Sequence, residues 1–417
     1  MGSGTFVKQS TRPQAASKKK ANLAGIDIIL FVTMIAITGF GLLMVFSAST
    51  DYSVVVLGEN PNYLFLRQVL WLVLGSGFAV TLALVDYHIW QKFAIYLIIG
   101  IILLLIFVLF SNDLKNGAIR TFLNGSIQPS EFAKLAIIIY LSVWLYNKKD
   151  TLHVFEMGLL PLAIILGVVS GLILLQPDLS AAITIILLGV LLFFLANGDI
   201  KQIGLMLLLA LVCIGILLLI SPTGHARFTS YLSFIKDPSN AQGQLRRSLG
   251  AIVNGKLFGV GLGRSNAKLT GLEVAPTDSI FAVIVEEVGL LGAIGLISLY
   301  GFILWRGIKI AFRAPDMFGS LLAAGLTFWI VLEAAINMAC IVGLLPLAGS
   351  ALPFVSAGGS NLISLLAAIG IIMNVSRQAV SKPQSVERRS YSASVDWRGR
   401  DRRRRISRPR RTASNEQ

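Results

Sequence analysis

Residues 26–48 read IDIILFVTMIAITGFGLLMVFSA, a run whose single charge is Asp27. A helix that crosses hydrocarbon needs about 20 apolar residues, whereas the apolar core of a secretory leader spans about 7–15. The run is therefore expected to be an uncleaved first membrane span, although Ser47-Ala48-Ser49 has the look of a cleavage site. Nine comparable runs follow, at about 66–86, 93–110, 131–146, 158–175, 180–196, 202–221, 279–305, 318–344 and 360–376. The expected fold is an all-α polytopic membrane protein with about ten transmembrane helices.

Composition agrees. Of 417 residues, 55% are hydrophobic and 14% charged, and mean hydropathy is +0.76. Soluble domains carry about 25% charged residues, so a soluble enzyme is excluded. The net charge of +15 suggests a nucleic-acid footprint until it is located. Residues 1–24 carry +5 and residues 377–417 carry +9, which leaves the body between them at +1. No nucleic-acid partner is expected. Cys213 and Cys340 lie in apolar runs and read as small core residues, and three scattered histidines give no metal centre.

Three segments are expected: a basic tail 1–24, a membrane body 25–376, and a basic, disordered tail 377–417. An even number of spans puts both tails in the cytoplasm, together with Lys148, Lys149, Lys201, Arg306, Lys309 and Arg313. The large loop 222–277, between the seventh and eighth spans, then faces outward. Its seven Lys/Arg run against the charge rule, but long loops translocate largely regardless of charge. The tails suit anionic lipid on the inner leaflet.

Polar groups collect on the outer side. Pro129-Ser130-Glu131 reads as a helix start with Ser130 as N-cap. Lys134, one turn into its span, is either functional, paired with Glu131, or snorkelling to the interface. Gln176-Pro177-Asp178 is a turn in which Asp178 can cap the next helix. Gln244–Val260 has the spacing of an interfacial helix, with Arg246 and Arg247 on it. Gly255, Gly259, Gly261 and Gly263 follow with no βαβ unit around them, so a dinucleotide fold is rejected. Asp278 stands at the mouth of the eighth span, as an N-cap or as a general base for a hydroxyl nucleophile. Glu286 and Glu287 lie roughly 12–14 Å deeper and need a cavity or a partner. Glu333 and Asn337 share a face of the ninth span, and Leu352–Ser360 is broken backbone of the kind that lines a cavity.

Five blocks in this order resemble the SEDS family (shape, elongation, division and sporulation; the FtsW/RodA/SpoVE group). They are Asn116–Arg120 with Gln128–Lys134; Gln176–Asp178; Phe258–Gly263; Thr277-Asp278 to Glu286-Glu287-Val288-Gly289; and Gly343–Pro346 with Leu352–Ser360. The resemblance implies a ten-span peptidoglycan glycosyltransferase of the bacterial cytoplasmic membrane, with its active site facing outward. It would polymerise lipid II, release undecaprenyl pyrophosphate, and work beside a class B penicillin-binding protein and other divisome or elongasome proteins. Asp278 matches the family's catalytic aspartate through its Thr-Asp-x-Ile-Phe-Ala context. The chain departs from the family at Val274, where a loop glutamate is usual and Glu273 is one residue off. It departs again at Arg247 and Glu333, where glutamines are usual, and at Ala357, where a tyrosine is common.

Under this reading Arg120, Lys134, Arg246, Arg247 and Lys268 are candidate cations for substrate phosphates, with Asp178, Glu287 and Ser356 as supporting residues. A divalent cation (Mg or Mn) could share the phosphate charge, though nothing in the sequence fixes a site. The residues alone leave a second class open: a lipid II flippase or polyprenyl-lipid transporter, with Lys134, Glu286, Glu287 and Glu333 lining its pathway. A membrane scaffold acting through its tails is a third.

Overall fold

A computed structural model describes residues 25–111, 128–220, 222–237, 243–268, 272 and 275–381. The chain divides into two units, Met1–Ser381 and Lys382–Gln417, and the second lies outside the described residues, as does segment 1–24. The described residues form twelve helices: α1 (Ile28–Val55), α2 (Tyr63–Leu84), α3 (Ile89–Ser111), α4 (Pro129–Lys148), α5 (Leu159–Leu175), α6 (Leu179–Leu195), α7 (Ile200–Ile220), α8 (Pro222–Lys236), α9 (Gly243–Gly255), α10 (Ile280–Arg313), α11 (Met317–Ile341) and α12 (Gly359–Ser381).

Each of the ten apolar runs is a helix, α1–α7 and α10–α12. Six of these are long and apolar enough to cross a membrane: α1, α2, α3, α10, α11 and α12. Helices α5 and α6 have 17 residues each, and α4 carries Glu131 and Lys134 in its first half. Helix α12 is almost wholly buried and packs along α2, while α2 and α3 turn Leu70, Val73, Phe78, Ile95 and Phe107 outward. An apolar exterior over an interior that contains ionisable groups is the inverse of a soluble fold, and it suits a bilayer.

Side-chain caps start four of the described helices; at α7, Asp199 accepts from Lys201 N at 2.9 Å. Asp27 accepts from Leu30 N at 3.0 Å, Asp178 from Ala181 N at 3.2 Å, and Asp316 from Gly319 N at 2.7 Å. The expected cap at Ser130 is not formed. Gln128 is the N-cap of α4, Pro129 enters the first turn, and the Ser130 hydroxyl donates to Asp178 instead. Proline fits there because the first turn has no intrahelical use for its missing N–H. Cys340 is buried as expected, but Cys213 is exposed on the apolar surface of α7; both are free.

Helices α1 and α10 run antiparallel. Asp27 at the start of α1 meets Arg306 near the end of α10, and Ser47 near the end of α1 meets Glu287 near the start of α10. This defines two ends of the molecule. One end carries Gly25, Asp86, Asp316 and Ser381, where the chain enters and leaves the body. There Tyr87 donates to Asp316 at 2.8 Å, His88 Nε2 meets the same oxygen at 2.8 Å, and Tyr87 N donates to Asn374 at 3.0 Å. Burial and the Asp316 carboxylate push the Tyr87 phenol above its ordinary value, so it stays a donor. Burial works against ionisation of Asp86, yet hydrogen bonds from Gln378 and His88 hold its carboxyl below the usual range. The opposite end holds Gln68, Gln128, Asp178, Asp278, Asn337 and Ser356.

The long loop departs from the sequence reading at both of its helices. Pro222–Lys236 is helical, although no helix is expected there from its apolar pattern. Helix α9 stops at Gly255, short of Val260, because the chain turns back at Lys256 (φ 48°) and Gly259 (φ 78°) to pack on α10.

Candidate functional site

Helix α10 is broken at Gly289 (φ 79°, ψ −178°). The break lets the glycine loop dock on it. Val260 N donates to Glu286 O at 2.9 Å, Gly261 N to Glu287 O at 3.0 Å, and Leu290 N to Lys256 O at 3.0 Å. A Cβ on Gly289 would stand 2.4 Å from Gly259 N, and one on Gly259 2.2 Å from Glu287 O. Only glycine permits both the positive φ and this approach of two backbones.

The same docking accounts for the two buried carboxylates. Glu286 accepts from Ser265 Oγ, from Asn266 N at 3.3 Å and from Ala267 N at 3.1 Å. Glu287 accepts from Ser47 Oγ at 2.7 Å and lies 3.5 Å from Lys268 Nζ. Lys268 also donates to Gly263 O at 2.9 Å and Ser47 O at 3.2 Å. Glu286, Glu287 and Lys268 thus tie the loop 259–268 to α10 and α1.

Asp278 stands one residue outside α10, whose N-cap is Ser279. It is therefore not the N-cap that its position allows. Three elements hold the segment around it: α11, the loop before α12, and α9. Asn337 Nδ2 of α11 donates to Asp278 O at 2.9 Å. Ser356 Oγ donates to Thr277 O at 2.7 Å while accepting from Leu352 N at 2.7 Å. Ala357 N donates to Pro276 O at 2.9 Å, and Gln244 Nε2 of α9 donates to Ser279 Oγ at 2.6 Å. Behind Ser356 stands Gln68 of α2, which donates to Ser356 O at 3.2 Å and accepts from Gly358 N at 3.1 Å.

The half-buried Asp278 carboxylate faces Gly349: a Cβ there would lie 3.3 Å from Asp278 Oδ2 and 3.9 Å from both terminal nitrogens of Arg227. Two cavities flank α9 and share Gly243. One, of about 420 Å³, is lined by Arg227, Ser230, Tyr231, Gln244 and Leu347. The other, of about 480 Å³, is lined by Arg246, Arg247, Asn254, Asn266 and Ala267. Exposed Arg246 has no hydrogen-bond or ion partner among the described residues. The site therefore offers one positioned carboxylate and guanidinium groups on two sides of a short helix. A base next to anion-binding pockets can deprotonate a hydroxyl and stabilise a departing phosphate.

The other expected residues are placed elsewhere. Lys134 is 2% exposed, donates to Glu131 at 2.8 Å and also pairs with Glu333. Asn361 donates to the second oxygen of Glu131 at 2.8 Å, and the Trp329 ring lies 5.5 Å from Lys134 Nζ. Lys134 is thus enclosed by carboxylates, away from the open cavities. Asp178 accepts from Gln128 Nε2 at 2.7 Å, Ser130 Oγ at 2.9 Å and Ser180 Oγ at 3.1 Å, which fastens α4 to α6. Arg120 and Glu273 lie outside the described residues. Among the described residues no three His, Cys, Asp or Glu side chains come together as a metal cage.

Sequence reasoning misses Arg227 and Gln68. Arg227 lies on the helix that the apolar pattern does not reveal. Gln68 has a legible signal, a lone amide inside an apolar span, because such a group needs a buried partner.

Residues 27–381 match the family model for FtsW, RodA and SpoVE, described as cell cycle protein. The chain belongs to the FtsW/RodA/SpoVE family. Among its relatives is the "Probable peptidoglycan glycosyltransferase FtsW" of Geobacter sp. (strain M18), 38% identical over 358 residues, 84% of this chain and 97% of the relative. Stage V sporulation protein E of Bacillus subtilis (strain 168) is 35% identical over 362 residues, again 84% of this chain and 97% of the relative. A chain solved in work on structural coordination of polymerization and crosslinking by a peptidoglycan synthase complex superposes with a TM-score of 0.70 at 27% identity. It is matched over its whole length and over 86% of this one. The rod shape determining protein RodA of Thermus thermophilus superposes at 0.62 with 26% identity, over 86% of this chain and 98% of its own. The FtsW/RodA/SpoVE fold thus covers the whole body, from Asp27 to Ser381.

Proposed function

We propose that this chain is a peptidoglycan glycosyltransferase of the division type, a ten-span protein of the bacterial cytoplasmic membrane with both basic tails inside and Asp278 facing outward. The observation that carries the reading is Asp278 itself: a carboxylate held by backbone bonds from α11 and the loop before α12, beside arginine-lined cavities. The names of the relatives supply the reaction class.

In the proposed reaction the acceptor is the 4-hydroxyl of a lipid II GlcNAc, and the donor is the growing strand on its polyprenyl pyrophosphate. The hydroxyl oxygen forms a bond to the anomeric carbon, and the bond from that carbon to the pyrophosphate oxygen breaks with its electron pair. Asp278 takes the hydroxyl proton, a contribution of about 10²–10⁴ in rate. Arg227, Arg246 and Arg247, with Arg120, offset the charge on the leaving pyrophosphate. Asn337, Ser356 and Gln244 position the base. Lys134, Asp178, Glu287 and Lys268 act one layer back, as positioning residues that hold α4, α6 and the glycine loop in place. Among the described residues no three His, Cys, Asp or Glu side chains gather at Asp278, so a divalent cation would need substrate phosphates to complete its shell, and no step is routed through one. A membrane-spanning transpeptidase of the class B penicillin-binding type is the proposed partner, and the tails are assigned to anionic lipid.

The transporter reading needs intramembrane charges that line an open path, but Lys134, Glu131 and Glu333 are closed on one another, Glu286 is occupied by the loop, and Glu287 by Ser47 of α1 and Lys268 of the loop. The deciding experiment supplies purified lipid II to the detergent-solubilised full-length protein. The proposal expects one undecaprenyl pyrophosphate released per glycosidic bond formed. Movement of intact lipid II across a vesicle membrane, with no polymer formed by protein of proven fold, would establish the transporter instead.

A further inference from the structure

The end of the molecule opposite Asp278 holds a cavity of about 370 Å³ between the start of α1 and the ends of α10 and α12. Its polar wall is Arg306, Lys309 and Arg313, spaced i, i+3 and i+7 on one face of α10. Only one of the three cations is neutralised. Arg306 is held by Asp27, with Nε 3.1 Å from each carboxylate oxygen, and the same carboxylate caps α1. Lys309 and Arg313 have no carboxylate partner among the described residues. The cavity therefore carries an excess of two positive charges. Helix geometry puts this wall about 25–36 Å along α10 beyond the break at Gly289, at about 1.5 Å per residue.

The rest of the surround is apolar and open. Ile28 is 73% exposed and Val380 65%. Trp305 neighbours two of the cations, with the Arg306 guanidinium 5.3 Å and the Lys309 ammonium 5.4 Å from its ring centre. Tryptophan next to cations at a helix end is the composition of a membrane–water boundary. A free phosphate would use the cations and leave this apolar rim bare. An acidic phospholipid uses both, with its phosphate between Lys309 and Arg313 and its acyl chains along Ile28 and Val380.

We infer that this cavity is a binding site for an anionic phospholipid, built from residues of the membrane body. A lipid seated here bridges the first, tenth and twelfth helices. It also leaves the Arg306–Asp27 pair intact.

The test uses the full-length protein in phosphatidylcholine vesicles doped with phosphatidylglycerol that carries a photoreactive acyl chain. Labelled peptides are then mapped. The proposal expects labelling of residues 26–30 and 305–313, reduced about 25-fold in the Lys309→Gln/Arg313→Gln variant, since each cation near an anionic surface contributes about fivefold. Labelling confined to the tail 382–417, or unchanged by the double substitution, overturns it. So does equal labelling by a photoreactive phosphatidylcholine. Inorganic phosphate is added in a separate arm, and competition as effective as that of unlabelled phosphatidylglycerol would make the site a plain phosphate site. An acidic protein segment as occupant would show as unlabelled body peptides together with a co-purified chain, which also overturns the proposal. If the double variant fails to fold, Lys309→Gln alone is read in the same way, with about a fivefold loss expected.

Discussion

Asn337→Ala probes how Asp278 is held without touching its carboxylate. Asn337 is buried, and its Nδ2 donates both to Asp278 O, at 2.9 Å, and to Ser350 O. The substitution leaves two carbonyls short of a donor. At about 1–3 kcal/mol for each buried group left unsatisfied, partly relieved by water from the adjoining cavity, the local cost is about 2–4 kcal/mol. The bonds from Ser356 to Thr277 and from Ala357 to Pro276 remain, so the segment shifts instead of unfolding. A displacement of about 1 Å at a reacting group costs about 10²-fold in rate. The assay is the initial rate of lipid II polymerisation over a concentration series, with thermal unfolding of the same preparation. A kcat about 100-fold lower with little change in KM is expected. Asn374→Ala is the control. Asn374 is equally buried and donates to Ala83 O at 2.8 Å, but at the far end of the molecule. It should lower the unfolding temperature and leave kcat alone. Wild-type kcat in a folded Asn337→Ala protein, or an equal kcat loss in both variants, would refute the positioning argument.

Further predictions follow from the surrounding groups. Arg227→Gln should raise KM and lower kcat together, by about 10–100-fold in kcat/KM, because a charge-assisted contact to phosphate is worth about 1.5–3 kcal/mol; polymerisation at varied salt checks it, and an unchanged rate would remove Arg227 from the site. Lys134→Met strands two buried carboxylates and should cost about 3–5 kcal/mol, visible as a lower unfolding temperature and poor yield, with Lys134→Arg far milder. Gly289→Ala forces a side chain into Gly259 N and Leu257 O at 2.4 Å, so it should release the glycine loop and open it to proteolysis between residues 259 and 268.

The ten apolar runs were legible as helices, and six of them as long enough to cross a membrane, because length and apolarity along the chain need no partner to be read. Helix α4 illustrates the limit of that signal. Its Glu131 and Lys134 mark it as polar-ended, and only the folded arrangement shows that Glu333 and Asn361 complete the group. The break at Gly289 was not legible, since a glycine in a span is common and the reason for it is Gly259, thirty residues earlier and across a docked loop. Ser130 was read as a cap from its position, whereas its hydroxyl is drawn to Asp178, a partner 48 residues away. Asp278 was legible as the candidate base from its motif. Arg227 was not, because the sequence around it, Pro222–Lys236, has neither a membrane pattern nor a strong apolar face. What pairs with what across the site is tertiary information: Asn337 and Ser356 stand out in the sequence, but the bonds by which they hold Asp278 and Thr277 do not.

The central claim is that the Asp278 carboxylate removes the acceptor proton. Asp278→Asn keeps the shape and the backbone bonds of Thr277, Asp278 and Ser279 but removes the base. Its polymerisation rate and its lipid II binding, measured on the same preparation of folded protein, test the claim directly. The account predicts a loss in rate of about 10²–10⁴ with binding retained. Polymerisation at the wild-type rate would contradict it.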